Sequence, residues 1–218
     1  MSAKKYNAAG ACFVSTDSAD GSFKLGDIVA EGFNWENDEI RVINPETSAT
    51  SVRLIYLDKE TADAYEMEQG WYEGSELEPY NNVSFTLGTG FLTSFGSSAV
   101  KFTSAGQVYE YPITIDCSSK KYTMVPNPLP RGVKLSEVSA TGFNWEDDEL
   151  RIMNPATSGT NVRLIYLDKE TADSFEMEAG WYEGNELEPY GNYEIKPGDG
   201  MMLSSGSKSV KINFPSAL

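Results

Sequence analysis

Glu36, Asp38 and Glu39 gather three carboxylates beside the carboxamide of Asn34, and the set recurs as Glu146, Asp148 and Glu149 beside Asn144. Hard oxygen donors at this density suit Ca²⁺, which takes six to eight such ligands. No D-x-[DN]-x-[DN]-G loop accompanies them, so the plainer account is a solvated acidic face that keeps the chain soluble. No cofactor other than Ca²⁺ is suggested. Glu66, Glu68, Glu73, Glu76 and Glu78 could supply the carboxylate pair of a glycosidase. Such a pair needs two carboxyls in unlike environments, and a dense acidic run present twice does not single out two. The Gly-Trp-Tyr-Glu-Gly units at 70–74 and 180–184 place Trp71, Tyr72, Trp181 and Tyr182 as aromatics that could stack on sugar rings. The competing account is that each Trp fills the core of a small domain.

The sequence contains no histidine. That removes Ser-His-Asp and Cys-His catalysis, HExxH zinc sites and imidazole proton transfer together. The reading is therefore non-enzymatic. The formal charge is -16, which would repel both nucleic acid and anionic membranes. No apolar run is long enough for a membrane-spanning helix, and the first residues carry no apolar core of a secretory leader.

The elements that must position these residues come from an internal repeat. Residues 32–80 return at 142–190 with an offset of 110, and only 11 of the 49 aligned positions differ. All four tryptophans (Trp35, Trp71, Trp145, Trp181) fall at equivalent places. Two homologous domains follow, at 1–106 and 107–218. Upstream, Tyr6 to Cys12 matches Tyr111 to Cys117 at an offset of 105.

Within a copy the apolar period is two. Tyr109, Tyr111, Ile113, Ile115 and Cys117 alternate with polar residues and Pro112, while Val52 to Leu57 is apolar on both faces. Further strands are expected at 22–29, 38–43, 83–87, 91–95 and 99–104, with a short helix within Asp58 to Glu68. The fold class is all-β: two tandem β-sandwiches or small barrels of about 105–110 residues, each with one short helix.

Each acidic core, 32–80 or 142–190, carries 12 Asp or Glu against 3 Lys or Arg, and the remaining segments are slightly basic. The first strand of copy one, Tyr6, Ala8, Gly10, is also a weak core filler beside Tyr111, Ile113, Ile115. The segment Lys4, Lys5, Tyr6, Ala8, Gly10, Cys12 is thus a candidate assembly strand, adding to a sheet edge of another subunit. Such a heterologous contact builds a head-to-tail homopolymer unless it closes. Cys12 and Cys117 fall one in each copy, so neither domain holds an internal disulfide; the expected state is two reduced thiols packed as small apolar residues.

The string Tyr122-Thr123-Met124-Val125-Pro126-Asn127-Pro128-Leu129-Pro130, with Val133 to Val138, Asp148 to Pro155, Gly180-Trp181-Tyr182 and Ile195 to Gly200, resembles tandem β-rich repeats of bacterial secreted and cell-surface proteins. The resemblance implies an extracellular structural or adhesive role and no known activity. The expectation is a self-assembling fibre or surface layer at the cell exterior. The alternative is a bivalent carbohydrate- or calcium-binding surface module.

Overall fold

A computed structural model of the 218-residue chain describes residues 5–18, 21–43, 51–96, 99–153 and 161–218. Copy one holds β1 (Lys5–Gly10), β2 (Ser22–Lys24), β3 (Ile28–Glu31), β4 (Glu39–Ile43), β5 (Ser51–Leu57), α1 (Lys59–Ala64), β6 (Gly70–Glu73), β7 (Ser84–Thr86), β8 (Gly90–Phe95) and β9 (Lys101–Ser104). Copy two holds β10 (Ile113–Cys117), β11 (Tyr122–Pro126), β12 (Val133–Lys134), β13 (Ser139–Thr141), β14 (Glu149–Ile152), β15 (Val162–Leu167), α2 (Lys169–Ser174), β16 (Gly180–Glu183), β17 (Glu194–Ile195), β18 (Asp199–Ser204) and β19 (Val210–Phe214). The chain is all-β apart from the two short helices, and among the described residues no sheet closes into a barrel.

Alternation of apolar and polar residues makes these strands, and local caps end them. The predicted strand over 22–29 divides because Leu25–Asp27 forms a 3₁₀ turn between β2 and β3. Asp27 Oδ2 accepts there from the Lys24 amide at 3.1 Å, and Glu137 Oε2 accepts from the Lys134 amide at 3.0 Å in copy two. Helix α1 starts at Asp58, whose Oδ1 accepts from the Thr61 amide at 2.8 Å, and Asp168 repeats this for α2.

Each copy is a two-layer sandwich over its own core. In copy two, Val125, Leu150, Leu164 and Leu203 of the large sheet meet Ile115, Val210, Ile212 and Phe214 of the sheet β10-β19-β13. Copy one repeats the arrangement with Leu54, Ile40 and Phe91. A fully buried aliphatic side chain of this kind contributes roughly 1.5–3 kcal/mol.

The two large sheets are continuous. Their order is β16-β15-β14-β18-β1-β8-β4-β5-β6, with β11 also paired to β18. Strand β1 lies along β8 from Lys5↔Phe95 to Gly10↔Gly90, and its other edge meets copy two at Ala8↔Gly200 and Ala9↔Asp199. Glycines permit this close joint: a Cβ on Gly90 would stand 2.4 Å from the Met124 carbonyl oxygen, and one on Gly200 would stand 2.9 Å from Ala8.

Register also corrects the upstream sequence match. Gly10 pairs with Gly90, while Pro126 pairs with Gly200, the repeat partner of Gly90. Strand β1 therefore corresponds to β11 and not to β10. The Tyr6–Cys12 to Tyr111–Cys117 likeness is a sequence coincidence without structural equivalence, because Cys117 pairs with Val210 in the opposite layer.

Candidate functional site

The consequence of that register is an imbalance between the copies. In copy two, β10 lies antiparallel to β19, with Ile113 opposite Phe214, Ile115 opposite Ile212 and Cys117 opposite Val210. Period-two alternation turns Ile113, Ile115 and Cys117 inward, where all three are buried, and leaves Thr114 and Asp116 outside. Strand β19 is thereby flanked on both edges, by β10 and β13. Its inward residues Val210, Ile212 and Phe214 are almost fully buried.

Copy one has β9 in the place of β19 and β3 in the place of β13, and among the described residues nothing in the place of β10. Among the described residues strand β9 pairs with β3 alone. Its inward residue Phe102, and Val100 before it, are only half buried. Beneath this edge lies a cavity of about 330 Å³ whose walls include Ala9, Ile28, Phe91, Phe95, Val100 and Phe102. These positions match Val125, Val138, Met201, Ser205, Val210 and Ile212 of copy two, all but Ser205 members of one core with Ile113, Ile115 and Cys117. Larger aromatics in copy one take up part of the space: Phe102 stacks on Trp71 with centroids 6.2 Å apart and leans on Phe95 at 5.7 Å. Asp199, from the neighbouring copy, also lines the cavity, and burial raises its carboxyl above the ordinary value. Beyond the end of β9, Val14 and Gln107 exchange backbone hydrogen bonds at 3.0 and 2.9 Å.

The residues nominated from sequence have other partners. Asp38 is buried, its Oδ2 accepting from the Asn34 amide at 2.8 Å and its Oδ1 from the Gly96 amide at 2.7 Å. Asp148 holds the Asn144 and Gly206 amides in the same way. Glu39 lies between Arg41 and Arg53, each 3.0 Å away, and Glu149 between Arg151 and Arg163. Glu36 and Glu146 are exposed and their amides donate to Asn34 and Asn144. Among the described residues no three acidic or cysteine side chains converge as a metal site would require. The carboxylates latch turns and neutralise strand arginines.

Of the two accounts of the Gly-Trp-Tyr-Glu-Gly units, exposed stacking rings and core filling, burial fits the second. Trp71 and Trp181 are buried on β6 and β16. Their indole N–H groups donate to the carbonyls of Ile28 and Val138, each at 2.7 Å. Tyr72 and Tyr182 are buried and donate to the carbonyls of Glu68 and Glu178. The aromatics that do reach solvent were missed: Tyr65 and Phe175 are exposed, edge-on to the half-buried Trp35 and Trp145 with centroids 5.6 and 5.4 Å apart.

The candidate assembly strand is internal. Tyr6, Ala8 and Gly10 belong to β1, paired along β8 and, at Ala8 and Ala9, to β18, so this segment does not project as a donor. Burial and not poor packing explains its small residues, since Ala8 is fully enclosed at the joint. Lys4 lies outside the described residues. Cys12 follows the strand as a half-buried thiol, and Cys117 is buried; both are free, and burial pushes Cys117 up to about 12.

No known protein family, characterised protein or solved structure matches this chain.

Proposed function

We propose that the chain is a non-enzymatic structural protein of the cell exterior that assembles in series, head to tail, by β-strand addition. The observation that supports this reading most is the joint itself: copy one and copy two meet edge to edge through β1 and β18, so one sheet runs through both. A chain that already links like units by backbone hydrogen bonds has the means to extend the series. The acidic charge and the lack of histidine fit a role without proton-transfer catalysis. Electron microscopy of the purified chain at high concentration tests the reading. Regular filaments or sheets are expected, and a monodisperse monomer throughout would overturn it.

A second reading is favoured by the duplicated pairs Trp35–Tyr65 and Trp145–Phe175, whose exposed rings offer two like platforms for sugar stacking. It makes the chain a bivalent glycan-binding surface module. Glycan-array binding lost on Tyr65→Ala with Phe175→Ala would favour it over assembly.

A further inference from the structure

We infer that the cleft of copy two between the 3₁₀ turn at Leu135–Glu137 and β16 binds one N-acetylated sugar residue, with the Trp181 backbone amide donating to its acetamido carbonyl. A cleft lies at this place in both copies, against Ile28, Tyr56 and Gly70 in copy one and against Val138, Tyr166 and Gly180 in copy two. Copy one fills the end beside its Trp with its own carboxamide. Asn81 Oδ1 accepts from the Trp71 amide at 2.8 Å, and Gln69 Nε2 donates to the Tyr56 hydroxyl at 2.7 Å. Copy two lacks both groups, for Gly191 stands in the place of Asn81 and Ala179 in that of Gln69. The backbone keeps its course: Trp181 pairs with Tyr166 as Trp71 does with Tyr56, and its carbonyl accepts from the Tyr190 amide at 2.8 Å as that of Trp71 does from Tyr80. The N–H and C=O of one strand residue point to the same side. The Trp181 amide therefore faces away from β15 into the cleft, and among the described residues no side chain accepts from it. The space is open as well. A Cβ on Gly70 would stand 2.3 Å from Asn81 Nδ2, whereas one on Gly180 would meet nothing within 4 Å.

The differences between the copies define the ligand. Trp181 is almost fully buried, and a buried donor without an acceptor is costly, so a group in the place of the Asn81 carboxamide is favoured there. A neutral carboxamide oxygen suits the place better than a carboxylate, because Glu178 lies in the wall and the chain carries a formal charge of -16. Tyr166 has the Ala140 backbone for its hydroxyl and can take a ligand donor where Tyr56 takes Gln69. The rim gains hydroxyls: Ser136 replaces Gly26 and Ser139 replaces Val29, and both serines are exposed beside Glu178. Two plugging side chains are thus removed and two hydroxyls added, which fits a ligand with an amide and several hydroxyls. The volume of about 250 Å³ limits it to a single sugar ring with its acetamido arm. The cleft shares no lining residue with the Trp145–Phe175 pair, so this site goes beyond both readings of the function.

Nitrogen–proton correlation spectra of the full chain, titrated with N-acetylglucosamine, glucose or acetamide, test the site. With N-acetylglucosamine at about 50 mM, well above a millimolar Kd, the Trp181 amide signal should move to saturation while that of Trp71 stays in place. Glucose and acetamide should each bind at least about tenfold more weakly. The variant Gly191→Asn with Ser136→Gly gives copy two the local residues of copy one and should lose the response. The two changes belong together because a Cβ on Gly191 would stand 3.3 Å from the Ser136 Cβ. A Trp181 signal unmoved by N-acetylglucosamine would overturn the site, and a response that persists in the variant would place the binding elsewhere. Glucose binding as tightly as N-acetylglucosamine would overturn the acetamido contact. Acetamide binding as tightly would overturn the sugar in favour of any carboxamide, including an Asn side chain of a protein. The wild-type titrations decide the matter even if the variant does not fold, and the presence or absence of filaments does not enter.

Discussion

The indole N–H of Trp71 donates to the carbonyl of Ile28 at 2.7 Å, tying β6 of the large sheet to the start of β3 in the facing layer. Trp181 makes the same bond to Val138. The bond fixes a side chain that also contacts Phe33, Tyr56 and Phe102. Replacing Trp71 by Ala should cost about 3–5 kcal/mol, as expected for a large aromatic removed from a core. Trp71→Phe keeps most of the ring but strands the Ile28 carbonyl, costing about 1–3 kcal/mol for the unmet acceptor together with some packing. Urea titrations of both variants check this, and glycan binding should not change with either.

Much of this fold is legible in the sequence because its signals are local. Alternation exposes the strands around Val52–Leu57 and Ile113–Cys117, and Asp58 marks the start of α1 as a capping residue three places before Thr61. The short strands β6 and β16 are not legible as strands, since a Trp-Tyr pair flanked by glycines reads equally as a loop or a core. The outer edge of β9 is harder still. Nothing in Lys101–Ser104 differs in kind from a paired strand; its open edge follows from the absence of a second neighbour among the described residues, which is a property of topology. The false match of Tyr6–Cys12 to Tyr111–Cys117 disguised it by supplying an apparent counterpart for β10.

Asp38 accepts from two backbone amides in that turn, those of Asn34 and Gly96. Asp38→Ala should lower stability by about 2–3 kcal/mol, because a buried charged acceptor is lost and two donors are left unmet. With these lone pairs engaged by the protein, Ca²⁺ or a chelator should leave the melting temperature of the wild type unmoved. Calorimetry with and without the ion reads both statements.

Acid should weaken the fold through carboxylates bound to backbone amides. The Thr61 and Thr171 amides hold Asp58 and Asp168 below the ordinary 3.8, and the Glu76 and Glu186 amides hold Glu73 and Glu183 below the ordinary 4.5. A carboxyl depressed in the folded chain binds its proton more readily once unfolded. Its stabilisation is complete above these ordinary values and is lost as pH falls through the folded ones. Denaturant midpoints should therefore drop as pH falls below 4.5, and more gently in Asp58→Asn with Asp168→Asn, which retains an acceptor at each cap.

Two thiols of one chain should differ in reactivity. Burial raises both above the ordinary 9.0, Cys117 to about 12, while Cys12 is the more open of the two. Because the thiolate is the reacting form, a disulfide reagent at about pH 8 should label Cys12 slowly and Cys117 only after urea unfolds copy two. Labelling of both at one rate in native buffer would contradict the packing of β10.

The joint between copies predicts a coupling that can be broken at one atom. A methyl on Gly90 would meet the Met124 carbonyl oxygen at 2.4 Å and its Cβ at 2.5 Å, and neither a backbone atom nor a Cβ can turn away as a side-chain end can. Gly90→Ala should cost about 1–3 kcal/mol by overpacking, with the damage centred where β8 and β1 approach β11. Gly96→Ala is the fitting control, since its nearest neighbour would stand at an ordinary 3.4 Å. If the shared sheet makes the two copies unfold together, Gly90→Ala should split a single calorimetric transition into two, one for each core. Deletion of residues 5–10 should split it further, because it removes the β1–β18 bonds entirely and leaves both β8 and β18 with unpaired backbone. A single transition that persists in both variants would show that the cores are coupled by some contact other than this strand.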